Sequence, residues 1–400
     1  MTTGKKKKKD EFGVGIIGYS IGKVHAHAWR GVDEYYHPAR ASPRLVALSG
    51  RNRERVRTEA RRFGFQRTYT DWRELVRDDD VDIVDNCAPP YLHAEAMIAA
   101  AEKGKNLVCE KPMARNAKEA KAMLDAAERA KVKHLVGYNY RFVSAVALAK
   151  QMIEEGMLGR LYYYKGSYLN AAAGYENPDT PADWHHSSKM AGYGALADLG
   201  THAIDLARFL AGEVESLSAV SRTFVKERPE KRESKRKTKT MVEVDVDDVT
   251  VSVLTFKNSA VGMLEAAWVT PGRTDFLAFE VYGSKGSLRF NLERINELEV
   301  FLSAAEEEKK KMDAKYNGPR QVLVLGKEHP YMSRYWVNQA GGFSWEHSFV
   351  NELNHFLECL ADDRPISPQG ATFFDGYRNC LVMDAMVESA RTGKRVILAA

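Results

Sequence analysis

Cysteine is scarce in this chain. Four residues among 400, Cys87, Cys109, Cys359 and Cys380, form no CxxC pair. That excludes a disulfide scaffold and a thiolate zinc site, so no metal is expected, and it points to a reducing, cytoplasmic setting. Long apolar runs are missing too, and without a window of about 18 apolar residues no helix is expected to span a membrane. A lysine run ahead of residues 13–22 imitates a secretory leader. Four glycines inside that stretch, with Asp10 and Glu11 before it, argue instead that it belongs to the fold.

A basic body is also lacking, although the formal net charge is +5. Five lysines at residues 5–9, and eight Lys or Arg against three Glu at residues 226–240, leave the remainder at net −5. Both segments are free of aromatic side chains, which removes a nucleic-acid partner from consideration. They read as a flexible tail over residues 1–11 and a solvated hairpin or loop, with a similar charge-dense excursion at residues 304–315.

What is present is an alternation of short apolar runs with amphipathic stretches. Strands are expected at residues 12–17, 44–48, 81–86, 106–109 and 134–138, with helices at 24–35, 53–62, 71–77, 92–103 and 117–130. That order predicts a doubly wound parallel sheet over residues 12–140. From 141 to 400 the pattern changes. Helices at 146–155, 202–210, 348–361 and 371–391 flank alternating runs at 242–256, 260–269, 276–282, 287–291 and 297–302, the signature of a large, mostly antiparallel sheet with one covered face. The fold class is therefore α/β, in two domains.

The chemistry-bearing residues lie between these elements. Gly15, Gly18 and Gly22 occupy a strand-to-helix turn where backbone amides can receive a pyrophosphate, although Ser20 stands where G-x-G-x-x-G has its second glycine. The second strand ends in Ser49-Gly50-Arg51-Asn52-Arg53, with no carboxylate for a ribose. That leaves NAD and NADP both open, since Arg51 or Arg53 can pair with a 2′-phosphate. Residues 33–43 read as an extended loop on the adenosine side. Lys111, in Glu110-Lys111-Pro112, leaves a strand at the edge where open α/β folds bind ligands. Asp198 and His202 are four apart, so a helical turn would set carboxylate beside imidazole for general-base work.

Taken together, these clusters resemble the glucose-fructose oxidoreductase/inositol dehydrogenase/rhizopine-catabolism (Gfo/Idh/MocA) family. The resemblance rests on Lys23-Val24-His25-Ala26 after the glycine turn, Pro89-Pro90-Tyr91-Leu92-His93, Glu110-Lys111-Pro112-Met113-Ala114, Gly137-Tyr138-Asn139-Tyr140-Arg141, Asp198-Leu199-Gly200-Thr201-His202 and Tyr282-Gly283-Ser284-Lys285-Gly286-Ser287. It implies a Rossmann domain, NAD or NADP as cofactor, and hydride transfer to or from a ring hydroxyl of a sugar or cyclitol. It also implies a homodimer or homotetramer formed through the second domain's sheet. By resemblance, Lys111, Asp198 and His202 are catalytic, with Asp198 holding the imidazole. Gly18, Ser20, Ile21, Gly50, Arg51, Asn86, Pro89, His93 and Glu110 contact cofactor. Tyr138, Asn139, Arg141, Trp184, His185, Trp345 and His347 are expected near substrate, the last two beside Trp336 and Phe343 in an aromatic cluster. A glycoside-processing enzyme that oxidises C3 transiently, and a non-catalytic dinucleotide sensor, remain alternatives on the same fold.

Overall fold

A computed structural model describes residues 9–231, 240–303, 318–335 and 342–398. Residues 232–239 of the first charge-dense excursion, the whole of the second at 304–315, the start of the tail and Trp336 lie outside the described residues. Six strands form a parallel sheet: β1 (Glu11–Ile17), β2 (Ser42–Ser49), β3 (Arg67–Tyr69), β4 (Ile83–Asn86), β5 (Asn106–Cys109) and β6 (His134–Val136), ordered β3-β2-β1-β4-β5-β6. The order reverses at β1, so β1 and β4 frame the crevice where a doubly wound sheet places its ligand. Helices α1 (Gly22–Tyr35), α2 (Arg53–Phe63), α3 (Trp72–Arg77), α4 (His93–Glu102) and α5 (Ala117–Ala130) connect the strands. Val14, Ile16, Ile83, Val84, Leu107 and Val108 are fully buried, as continuous apolar strands sandwiched between helices must be.

Helix α6 (Ser144–Glu154) leads into a second sheet of nine strands. Its members are β7 (Leu161–Leu169), β8 (Val214–Arg222), β11 (Val249–Phe256), β12 (Val261–Ala267), β13 (Phe276–Gly283), β14 (Gly286–Asn291), β15 (Glu297–Leu302), β16 (Arg320–Leu323) and β17 (Val396–Ile397). All pairings are antiparallel except β7 with β12. Helices α7 (Ser188–Ala191), α8 (Thr201–Ala211), α9 (Trp345–Ala361) and α10 (Phe373–Thr392) complete the chain. α8 packs on β7 and α10 on β8, covering one face. The other face keeps Val220, Val251, Val253 and Val261 exposed. Helix α9 crosses back to pack on α1, so the last third of the chain closes over the first.

Two expectations change. The run 242–256 is not one strand. It breaks into β10 (Met241–Glu243), paired with β9 (Glu227–Pro229), and β11. Asp245, Asp247 and Asp248 between them turn their carboxylates onto the backbone amides of Ser188, of Gly194 and Leu196, and of Phe224 and Val225. Residues 36–41 lie against α9 instead of the adenosine side: Tyr36 donates to Asn351 Oδ1 at 2.7 Å and Arg40 pairs with Asp362 at 2.8 Å.

Candidate active site

The carboxyl edge of the parallel sheet opens into a cleft of about 530 Å³, closed on its far side by the second sheet and by α9. Gly18, whose φ is +92°, packs behind the near wall against Cys87 and Ala88. A Cβ there would lie 2.7 Å from the Cys87 carbonyl oxygen, so only glycine lets the β1 turn pass that close. Ser20 and Ile21 follow on the cleft wall. Helix α1 then starts at Gly22 with no side-chain cap and no acidic residue in its first turn, whereas Asn52, Asp71 and Asn116 cap α2, α3 and α5. A missing cap costs about 1 kcal/mol, which an anion on the bare amides would offset. Nearby, the buried Asn86 bonds the Ala88 amide through Oδ1 and leaves Nδ2 without a partner among the described residues. An open helix start, a close-approach glycine and an orphaned amide donor together fit a dinucleotide.

Behind this wall lies a buried ionic cluster. His25 Nδ1 faces Asp85 at 2.9 Å and its Nε2 faces Glu110 Oε1 at 2.9 Å, while Trp29 Nε1 donates to Asp85 at 2.8 Å. Burial opposes a charge on His25, yet Asp85 beside it lifts the imidazole well above its usual range. Glu110 spends its other oxygen on the Lys111 amide at 2.9 Å. The carboxylate expected at the cofactor instead fixes the strand end from which Lys111 emerges.

Lys111 Nζ donates to the Asp198 carbonyl at 2.8 Å and to Asp198 Oδ1 at 3.0 Å. Both side chains face the cleft, 20% and 32% exposed. Burial works against the Asp198 carboxylate, but the Lys111 ammonium holds it down at about 2. Burial likewise disfavours the Lys111 charge, which Asp198 and Glu110 more than restore. Asp198 and His202 do not pair. Residues 196–200 form an i→i+5 turn running into α8, which spoils the alignment of residues four apart, and Asp198 turns to Lys111. His202 has no hydrogen-bond partner among the described residues. Its ring sits between Tyr138, Tyr140 and Tyr168, with centroids 5.8, 4.6 and 5.9 Å away. Burial, then Lys111, pushes it well below the usual imidazole range, so it is a neutral base at pH 7. The turn carrying both residues is anchored by Asp247, and a Cβ on Gly194 would lie 2.0 Å from that residue's carbonyl.

Of the expected residues, Ser20, Ile21, Pro89, Glu110, Lys111, Asn139, Trp184, His185, Asp198, His202 and Trp345 line the cleft. The others do not. Arg141 is buried in an ion pair with Asp205 at 2.6 Å and stacks on Phe209, Tyr138 bonds Thr201 at 2.7 Å, and His347 accepts from the Ser344 amide at the start of α9. Their polarity is spent on holding the second domain together. His93 ties the loops after β4 and β5 through the carbonyls of Ala88, Pro112 and Met113. A side chain at Gly50 would strike Tyr19, which Arg55 covers at 4.9 Å, and Arg51 is exposed.

The cleft also holds Tyr140, Tyr168, Asn170, Tyr193 and Asp275, none singled out from sequence. Arg228 is a further surprise, because the segment read as solvated contains a fully buried guanidinium. It donates to the carbonyls of Tyr175, Asn177 and Thr180, and Tyr175 in turn reaches Asp183 at 3.3 Å and His185 at 3.2 Å. Through these contacts Arg228 braces the stacked Trp184–His185 pair on the cleft wall, whose rings lie 3.6 Å apart.

Two family models match. The oxidoreductase family with an NAD-binding Rossmann fold covers residues 12–138, and the GFO/IDH/MocA C-terminal domain covers residues 146–289. The chain belongs to the Gfo/Idh/MocA family. It is thus an NAD-binding oxidoreductase of that family, with the α/β architecture its sequence pattern predicts. Levoglucosan dehydrogenase of Pseudarthrobacter phenanthrenivorans is 38% identical over 385 residues, 94% of this chain and 95% of that protein. Myo-inositol 2-dehydrogenase of Thermotoga maritima is 28% identical over 359 residues, 89% of this chain and 90% of its own. A solved levoglucosan dehydrogenase in complex with NADH and levoglucosan superposes with a TM-score of 0.90, covering 98% of this chain and all of that one. No described helix is long and apolar enough to cross a membrane.

Proposed function

We propose that this oxidoreductase is a dehydrogenase acting on a ring hydroxyl of a sugar or cyclitol. The observation that carries the reading is convergence: an ammonium, a carboxylate and a neutral imidazole share one cleft with the open start of α1. Ser20, Ile21, Asn86 and Pro89 would hold the dinucleotide, with its pyrophosphate at the α1 amides. When bound, the nicotinamide supplies the acceptor for the hydrogen that leaves carbon with its electron pair. The protein's own task is the hydroxyl proton. His202, neutral and without a hydrogen-bond partner among the described residues, accepts that proton. Lys111, kept charged by Asp198, hydrogen-bonds the same oxygen and stabilises developing negative charge. Asp198 acts by positioning Lys111, and Trp184 offers a sugar ring an apolar face.

The bare outer face of the nine-stranded sheet, with Val220 opposite Val251 on neighbouring strands, supports a homodimer or homotetramer formed through that sheet. Four free, buried thiols support a cytoplasmic setting. The function is tested by offering inositols, aldoses, 1,5-anhydro sugars and 3-keto-glycosides to the purified chain with NAD and NADP separately. NADH or NADPH accumulating with a sugar or cyclitol is expected. Cofactor binding without reduction by any polyol would overturn the reading, and cleavage of a glycoside without net NADH would replace it with transient oxidation.

A further inference from the structure

The charges lining the cleft deepen that reading, on which this inference rests. Among the described residues that line the cleft, Glu110, Asp198 and Asp275 face a single ammonium, Lys111, and there is no arginine. Lys111 is bound to Asp198 and both Glu110 oxygens are used, so neither is free to select a ligand. Asp275 differs. Its Oδ1 accepts from Tyr168 at 2.7 Å and Asn170 at 3.4 Å, while its Oδ2 has no partner among the described residues.

The hydroxyls behind Oδ1 have a fixed sense. Tyr168 gives its one proton to Asp275, so the 2.9 Å contact between Tyr140 and Tyr168 requires Tyr140 to donate, and Trp345 Nε1 donates to Tyr140 at 3.2 Å. A chain of donors from α9 thus ends on one carboxylate and holds it as a rigid acceptor. Sugar hydroxyls are the donors that such an acceptor suits. A phosphate or a second carboxylate brought into the same space would meet repulsion with no free cation to relieve it.

We propose that Asp275 is the specificity-determining acceptor of this cleft, binding hydroxyls of a neutral polyol through Oδ2 while the surrounding carboxylates turn away sugar phosphates and sugar acids. The test pairs D-glucose and levoglucosan with D-glucose 6-phosphate and D-glucuronate. It reads kcat/KM with NAD, and binding to the NADH-loaded full chain by calorimetry. A neutral sugar is expected to be favoured by at least about 100-fold in either measure. Asp275→Asn keeps an oxygen for Tyr168, and retained NADH binding reports its fold. This variant is expected to raise KM for the neutral sugar about 10-fold, change kcat less than about 3-fold, and narrow the preference against the anions. Equal handling of phosphate and neutral sugar, or an unchanged KM and preference in Asp275→Asn, would overturn the proposal while leaving a working dehydrogenase. Tight neutral-sugar binding with no NADH formed would uphold this selection and sink the dehydrogenase reading instead.

Discussion

The two walls of the cleft are built on different principles. The near wall comes from strand ends of one parallel sheet, where Gly18, Asn86 and Lys111 each follow their strand within one or two residues or close it. Local backbone geometry dictates those residues, so they appear as short motifs. The far wall gathers Tyr168 from the end of β7, Asp275 from just before β13, Trp345 from α9 and, behind them, Arg228 from β9. No spacing links such residues, because only the sheet's long-range pairing brings them together. On the proposed reading, reaction chemistry is concentrated where sequence is explicit, and selection where it is silent.

The sharpest way to break this contrast is His202→Asn. If the near wall and the turn facing it carry the chemistry, turnover falls by about 10³-fold with NADH binding unchanged in a fluorescence titration. Gly18→Ala comes next. The strained φ and the contact with the Cys87 carbonyl distort the cofactor turn, weakening NADH binding by about 100-fold with the melting curve as control. On the far wall, Arg228→Lys loses the fork of carbonyl contacts but keeps the charge. KM for the sugar rises about 10-fold with kcat nearly constant, whereas Arg228→Met also lowers the melting temperature by leaving the loop carbonyls unpaired. A fall in kcat equal to the rise in KM would place Arg228 with the chemistry.

The smallest effect concerns pH. His202 has its folded pKa below the ordinary 6.5, so the neutral base persists on acidification and is lost only as pH falls through that depressed value. The acid limb of kcat/KM for NAD reduction should accordingly lie below pH 6.5. A limb centred above it would assign the proton to another group.

The contrast also explains how far the sequence could be read. β5 occupies the same residues as its apolar run, β1 and β4 differ from theirs by one or two residues at the start, and β2 runs past its own by two residues at the start and one at the end. β3 escaped because three partly exposed residues show no period. β7, central to the second sheet, escaped because Tyr162 and Tyr163 mask its alternation. Lys111 and His202 were legible as motif members, but their partners were not. Spacing alone pointed Asp198 at His202, while the i→i+5 turn and the proximity of Lys111 decided otherwise. Arg141 and Arg228 show the converse: sequence marks a charge as a ligand contact or as solvated, while buried acceptors claim it.

The most direct measurement is NADH formation by Lys111→Met beside the wild-type chain, on whichever neutral sugar turns over, with NADH affinity titrated in parallel. A loss of about 10³-fold in kcat with affinity within about 3-fold is the expected result, since the ammonium acts on the reacting oxygen and not on the dinucleotide. Turnover retained within about 10-fold would contradict the assignment of the cleft's chemistry to Lys111 and its partners.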